Sequence, residues 1–150
     1  MADNLIQIEF NPPDLLQRMR RYPKKLDDEL EDAMDESLTF IHSKVPQYPN
    51  EPPGSTYVRT LTLGRSLGVG GGRANVREVK RLGQGKYEGR FGTNLYYAPY
   101  VIGTGEGGGK KQAKHMSHWW TMRNVKERSE QGIQKIFDKM AEKLVKFLGG

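Results

Sequence analysis

The stretch Val76–Phe91, VREVKRLGQGKYEGRF, decides how this chain folds. Its second arm alternates, with Tyr87, Gly89 and Phe91 on one side and Lys86, Glu88 and Arg90 on the other. A period of two marks a half-buried strand. Gly83-Gln84-Gly85 supplies a tight reversal between the arms. Residues 76–82 and 86–91 are therefore expected to pair as a hairpin, with Tyr87, Gly89 and Phe91 facing inward. The first arm, VREVKRL, alternates poorly, so its register is not set by pattern alone.

Moving outward, the two flanks carry helical spacing. On the N-terminal side Leu26, Leu30, Ala33 or Met34, Ser37 or Leu38, and Ile41 recur at three- and four-residue steps, which makes one apolar stripe. Asp27, Asp28, Glu31, Asp32 and Asp35 occupy the other face, read as solvated acids placed early enough to suit the helix dipole. Leu15, Leu16 and Met19 form a shorter piece ahead of it, and Pro23 forces a break near Tyr22. Asn11 is a candidate cap for that first piece. Further upstream, Ile6, Ile8 and Phe10 alternate as a strand. On the C-terminal side, Ile133, Ile136, Phe137, Met140, Leu144, Phe147 and Leu148 trace a stripe along a helix from Met122 to Leu148. Gly132 weakens its middle, and Glu142 and Lys146 are spaced for an ion pair. Both flanks are expected to bury their stripes against the middle, Gly54–Gly105.

Between these segments lie loops. Residues 45–53 hold four prolines and read as an extended connection. Gly68–Gly72 reads as a flexible loop, and 103–114 as a mobile basic one. Leu95–Ile102 reads as a strand end or a short helix, with Tyr97, Val101 and Ile102 facing the core. The expected fold class is α+β: one domain, a small mainly antiparallel sheet packed against two long helices, with long Gly/Pro-rich loops.

Composition narrows the function. With 150 residues, mean hydropathy of -0.75 and 35% hydrophobic residues, the chain can bury a thin core. No cysteine is present, so a disulfide framework or Cys-based metal site is impossible, and a cytoplasmic assembly compartment fits. No apolar run approaches the roughly 18 residues of a membrane span. MADNLIQIEF lacks the basic-then-apolar order of a signal peptide. The charge is bipolar: residues 1–58 hold 6 Lys/Arg against 11 Asp/Glu, and the remainder holds 18 against 7. Such halves can pair between neighbouring subunits, face DNA, or be two unrelated solvated surfaces.

Few residues suggest chemistry. Gly103–Gly108 matches G-x-G-x-x-G in letters, but lysines and glutamine follow where a dinucleotide site needs the start of a helix. Gly109-Lys110-Lys111 lacks the first glycine and the Ser/Thr of a phosphate-binding loop. His115 and His118 have no further ligands near them in sequence. No set of residues marks an enzyme, a cofactor or a metal centre. Trp119 and Trp120 adjoin Lys110, Lys111, Lys114 and Arg123. Core packing, a subunit interface and base stacking beside phosphate contacts are all open for them.

Two segments of the middle carry a resemblance. Tyr57-Val58-Arg59-Thr60 with Leu63, Arg65, Ser66 and Leu67, and Gly92-Thr93-Asn94 with Tyr97-Ala98-Pro99-Tyr100-Val101 and Gly103-Thr104-Gly105, occur in that order. Together they resemble a tail-component family of long-tailed bacteriophages, whose members are minor tail, tail-completion or head–tail joining neck proteins. Leu61 stands where that family usually has glycine, and His118-Trp119-Trp120 stands where many relatives have a Pro-Phe segment. The resemblance implies a short turn of helix at Thr60–Leu67. It also implies a virion protein at the neck or tail, assembled in the host cytoplasm into a closed ring of six copies. Its partners would be head-closure or connector proteins and tail terminator or tube proteins. Tyr57, Arg59, Arg65, Tyr97, Tyr100, Trp119 and Trp120 are then the candidate assembly residues. Lys110, Lys111 and Lys114 are the candidate contacts to passing DNA. The competing reading is a small basic protein that binds nucleic acid without sequence preference.

Overall fold

The computed structural model describes residues 6, 13–49, 54, 61–102 and 120–149. Along them run helices α1 (Pro13–Met19), α2 (Pro23–Lys44) and α3 (Thr62–Ser66), strands β1 (Val76–Gly83) and β2 (Lys86–Gly92), and helices α4 (Ala98–Ile102) and α5 (Met122–Phe147). Of the anticipated strand at 5–10 only Ile6 is described, half-buried against the main core. Asn11 and the 103–114 loop lie outside the described residues.

The break near Tyr22 is present. Pro23 opens α2, where its missing N–H costs nothing. The first turn of α2 holds Lys24 and Lys25 and no acid, so the acids beginning at Asp27 sit too far along to complement the dipole. At α5, Thr121 accepts a hydrogen bond from the Asn124 backbone, and the Asn124 side chain accepts one from the Thr121 backbone. This reciprocal cap starts the helix one residue after Thr121.

The two long helices bury their stripes chiefly on each other, where burial against the middle was expected; the middle meets them through β2, which covers part of α2. Leu26, Leu30 and Ala33 of α2 share one buried cluster with Ile133, Ile136, Phe137, Met140 and Leu144 of α5, and Leu15 and Met19 of α1 close its end. Two amphipathic helices about 33 and 39 Å long can satisfy each other's stripes directly. They run antiparallel. Phe40 lies against Gly132, Glu29 bonds Lys143 at 3.7 Å, and the Tyr22 ring meets Phe147 edge-on at 5.0 Å. Phe147, expected inside, is 46% exposed. Glu142 and Lys146 do not approach within ion-pair distance. Gly132 has a packing reason: a Cβ there would come 2.1 Å from the Phe40 ring.

The hairpin forms with the expected facing. β1 and β2 are antiparallel, pairing Arg77 with Phe91, Val79 with Gly89 and Arg81 with Tyr87. The register shifts between Arg81 and Gly83, leaving Leu82 56% exposed at a bulge. β2 presses on α2, where a Cβ on Gly89 would meet Met34 at 2.8 Å and Leu38 at 3.3 Å. In an antiparallel pair, directly opposed residues share a face, so the inward residues of β1 are Arg77, Val79 and Arg81. The arginines explain the poor alternation of the first arm. Arg77 donates to Asp35 at 2.9 Å and to Thr39 at 3.1 Å, and Arg81 donates to Asp27 at 3.2 Å. Four residues of strand span about 13 Å and eight of helix rise about 12 Å, so the two arginines match the two aspartates in spacing. Part of the acid row read as solvated thus docks the hairpin. The described residues make an α+β fold, a two-stranded antiparallel sheet packed against helices.

Candidate assembly surface

A second buried cluster holds the two resembling segments together. Leu63 and Leu67, from the first segment, bury against Ala98 and Ile102 of α4, from the second. Phe91, Leu95, Tyr97, Val101, Trp120 and Met122 pack around them, half-buried. The segment 95–102 is therefore a short helix preceded by a turn, with Tyr97, Val101 and Ile102 toward the core.

Polar contacts fix the same junction. Ser66 Oγ lies 2.6 Å from Thr93 Oγ1 and also donates to the Leu63 carbonyl at 2.6 Å. Thr93 Oγ1 accepts the Leu95 N–H at 3.2 Å, and Asn75 Nδ2 donates to Asn94 Oδ1 at 3.0 Å. Gly68–Gly72 is tied at both ends: Leu67 bridges Ala74, the Asn75 N–H reaches the Ser66 carbonyl at 2.7 Å, and His42 Nε2 lies 2.8 Å from the Gly68 carbonyl.

Helix α3 begins from a left-handed residue. Leu61 sits at φ 63°, ψ 6°, a region that side-chain-bearing residues rarely occupy. This is the position where glycine is usual in the family the segment resembles. Tyr48, from the proline-rich connection, holds the turn. Its hydroxyl donates to the Leu61 carbonyl, and its ring fills the space above Gly64, where a Cβ would come 2.2 Å away.

The candidate residues divide. Arg65 is exposed and Tyr100 is 42% exposed, so both are open to a partner. Tyr97 and Trp120 are half-buried members of the second cluster. Tyr57, Arg59, Trp119, Lys110, Lys111 and Lys114 lie outside the described residues. Tyr96 was not singled out from the sequence, yet it is 87% exposed, and its ring stands edge-on to Tyr97 at 5.4 Å. Only its placement at the turn before α4 reveals it; the run Tyr96-Tyr97 has no pattern that separates the outward ring from the inward one.

Two grooves flank the long helices. One, of about 560 Å³, runs between β2 and the helices and is lined by Ile6, Met34, Tyr87, Phe91 and Met122 among others. The other, of about 690 Å³, lies between α2 and α5 over Phe40 and Ile136. The displaced titrations have local causes. Lys25 donates to Glu29 at 2.7 Å and holds its carboxyl below the usual range, helped by Lys143. Burial pushes the Tyr87 hydroxyl up, reinforced by Asp27. Among the described residues no helix is long and apolar enough to cross a membrane, and no three His, Asp or Glu residues group as metal ligands. Comparison with protein-family models, curated proteins and solved structures finds no match to this chain.

Proposed function

We propose that this chain is a structural subunit of a tailed-phage virion that joins head and tail, acting by fitting between other subunits rather than by catalysis. One observation carries the reading. The two segments that resemble the tail-component family, 27 residues apart at their nearest bond, share one apolar cluster and the Ser66–Thr93 contact. A pair of segments that builds a single rigid junction is consistent with a common ancestral unit. The same junction presents Arg65, Tyr96 and Tyr100 to the outside. Tyrosine and arginine are the residue types that dominate protein interfaces, because each combines a large contact area with a hydrogen-bonding end.

In this reading the α2–α5 pair is the rigid body and the junction is the contact surface. Copies associate head-to-tail into a ring, a geometry in which two different patches of one subunit meet. Deleting the gene and viewing the lysate by electron microscopy tests it. Filled heads and finished tails that stay unjoined are expected; normal infectious particles would refute the reading.

A further inference from the structure

We infer that the free edge of β1 pairs with the same edge of a second copy of this chain, antiparallel and centred on Val79, to make one four-stranded sheet. Among the described residues β1 and β2 pair only with each other, so each has one edge of unpaired backbone N–H and C=O groups. β2 borders the groove that reaches α5, where Ile6 is seated. The edge left for another chain is that of β1. The outer face of the hairpin carries four charges in register: Glu78 stands opposite Arg90, and Lys80 opposite Glu88. Arg90 bonds Glu88 along its own strand and reaches Glu78 at 3.9 Å, whereas Lys80 has no ion-pair partner among the described residues. Glu78 and Lys80 are both exposed. β1 thus ends the sheet on one acid held loosely and one base not held at all.

Those two residues flank Val79, so the edge is complementary to itself. A two-fold axis perpendicular to the sheet sets Val79 against Val79 of the second copy, Glu78 against its Lys80, and Lys80 against its Glu78. With the register of the hairpin, the outer face then reads Arg90, Glu78, Lys80, Glu88 straight across four strands, and Glu88, Lys80, Glu78, Arg90 in the next row. Every charge has its opposite beside it. Residues 77–81 pair over about 16 Å without reaching the bulge at Leu82. On the inner face Arg77 meets Arg81 of the other copy, but Asp35 and Asp27 of α2 already hold these two. α2 lies beneath β2, where Met34 and Leu38 approach Gly89. The two β2 strands stand about 14 Å apart, more than the diameter of a helix, about 10–12 Å, so both α2 helices fit side by side. A polyanion finds no net charge on this face, where acids and bases are equal in number. The contact leaves Arg65, Tyr96 and Tyr100 untouched. It can therefore fail while the virion reading holds, and hold while that reading fails.

Sedimentation velocity of the full chain tests it. The wild type is expected to form dimers as its concentration rises, and amide exchange within 76–82 should slow in step while that of α5 does not change. Glu78→Lys and Lys80→Glu each set like charges opposite one another twice across the axis. Either alone should weaken the dimer about ten-fold or more, with unchanged helical circular dichroism. An equimolar mixture of the two variants should regain dimers of wild-type strength, since every lysine then meets a glutamate. Recovery in the mixture separates a lost contact from a lost fold. A wild type that stays monomeric would overturn the inference, as would a dimer indifferent to both reversals or a mixture that does not recover. A dimer that weakens only on Arg90→Glu would put the contact on β2, and would also overturn it.

Discussion

Ser66 Oγ and Thr93 Oγ1 lie 2.6 Å apart and join the last residue of α3 to the residue that follows the hairpin. Ser66 is 5% exposed, so its hydroxyl has no water to fall back on. Removing it by Ser66→Ala is expected to cost about 1–2 kcal/mol in urea unfolding, and Thr93→Val a similar amount. If the pair acts as a unit, the double variant costs less than the sum of the two. Full additivity would show the two hydroxyls to be independent.

Leu61 at φ 63° stores strain that glycine would not. Leu61→Gly gives up little burial, since the side chain is 39% exposed. The left-handed cost of about 1–2 kcal/mol is relieved, partly offset by the greater freedom of glycine in the unfolded chain. A net gain of about 0.5–1 kcal/mol is expected in the unfolding midpoint, and Leu61→Val should lose stability because a branched Cβ tolerates this region worst.

Gly132 is mid-helix, where alanine would ordinarily gain about 1 kcal/mol. Here the new methyl would meet the Phe40 ring. Gly132→Ala is therefore expected to destabilise by about 1–3 kcal/mol, as overpacking does. Combining it with Phe40→Leu should recover much of that loss. Thermal melts of the two single variants and the double variant measure this.

The hairpin is attached to α2 through Arg77 and Arg81 as well as by packing. The Arg77 side chain is 19% exposed and bonds two residues, whereas that of Arg81 is 51% exposed. Arg77→Ala is expected to cost more than Arg81→Ala, about 1 kcal/mol against about 0.5 kcal/mol. Hydrogen exchange should rise in 76–92 in the double variant while α2 and α5 stay protected; uniform loss would mean the helices depend on the hairpin.

Glu29 has its carboxyl held below the ordinary value of 4.5, chiefly by the Lys25 hydrogen bond. A lowered folded-state pKa contributes stability that is present above the unfolded value and lost as pH falls through the folded one. Wild type and Glu29→Gln should therefore differ near neutrality, by about 0.5–1 kcal/mol, and the difference should shrink as the pH falls below 4.5 and through the lowered folded-state value. Paired urea titrations across that range measure the difference.

Helices α1, α2 and α5, the break at Pro23 and the inward face of β2 were legible because each is a local matter: periodicity, a missing N–H and alternation lie within one stretch of chain. The register of β1 was not legible. Its inward positions hold arginines, and their place is set by Asp27 and Asp35, some 40–55 residues earlier. Tyr96 and Tyr97 are alike in sequence, and only the packing of α4 against Leu63 and Leu67 sends one ring out and the other in. Gly132 reads as a weakness until Phe40 is seen beside it.

What the sequence alone determined is the helices of the two flanks and the hairpin between them, because hydrophobic spacing and backbone chemistry act over a few residues. What the tertiary structure alone decided is which surfaces meet. Two apolar stripes could each have covered the sheet or each other, and α2 does both: Leu26, Leu30 and Ala33 meet α5 while Met34 and Leu38 meet β2. The charged residues were then sorted by what remained within reach: some acids took the arginines of β1, and others were left on the solvent face.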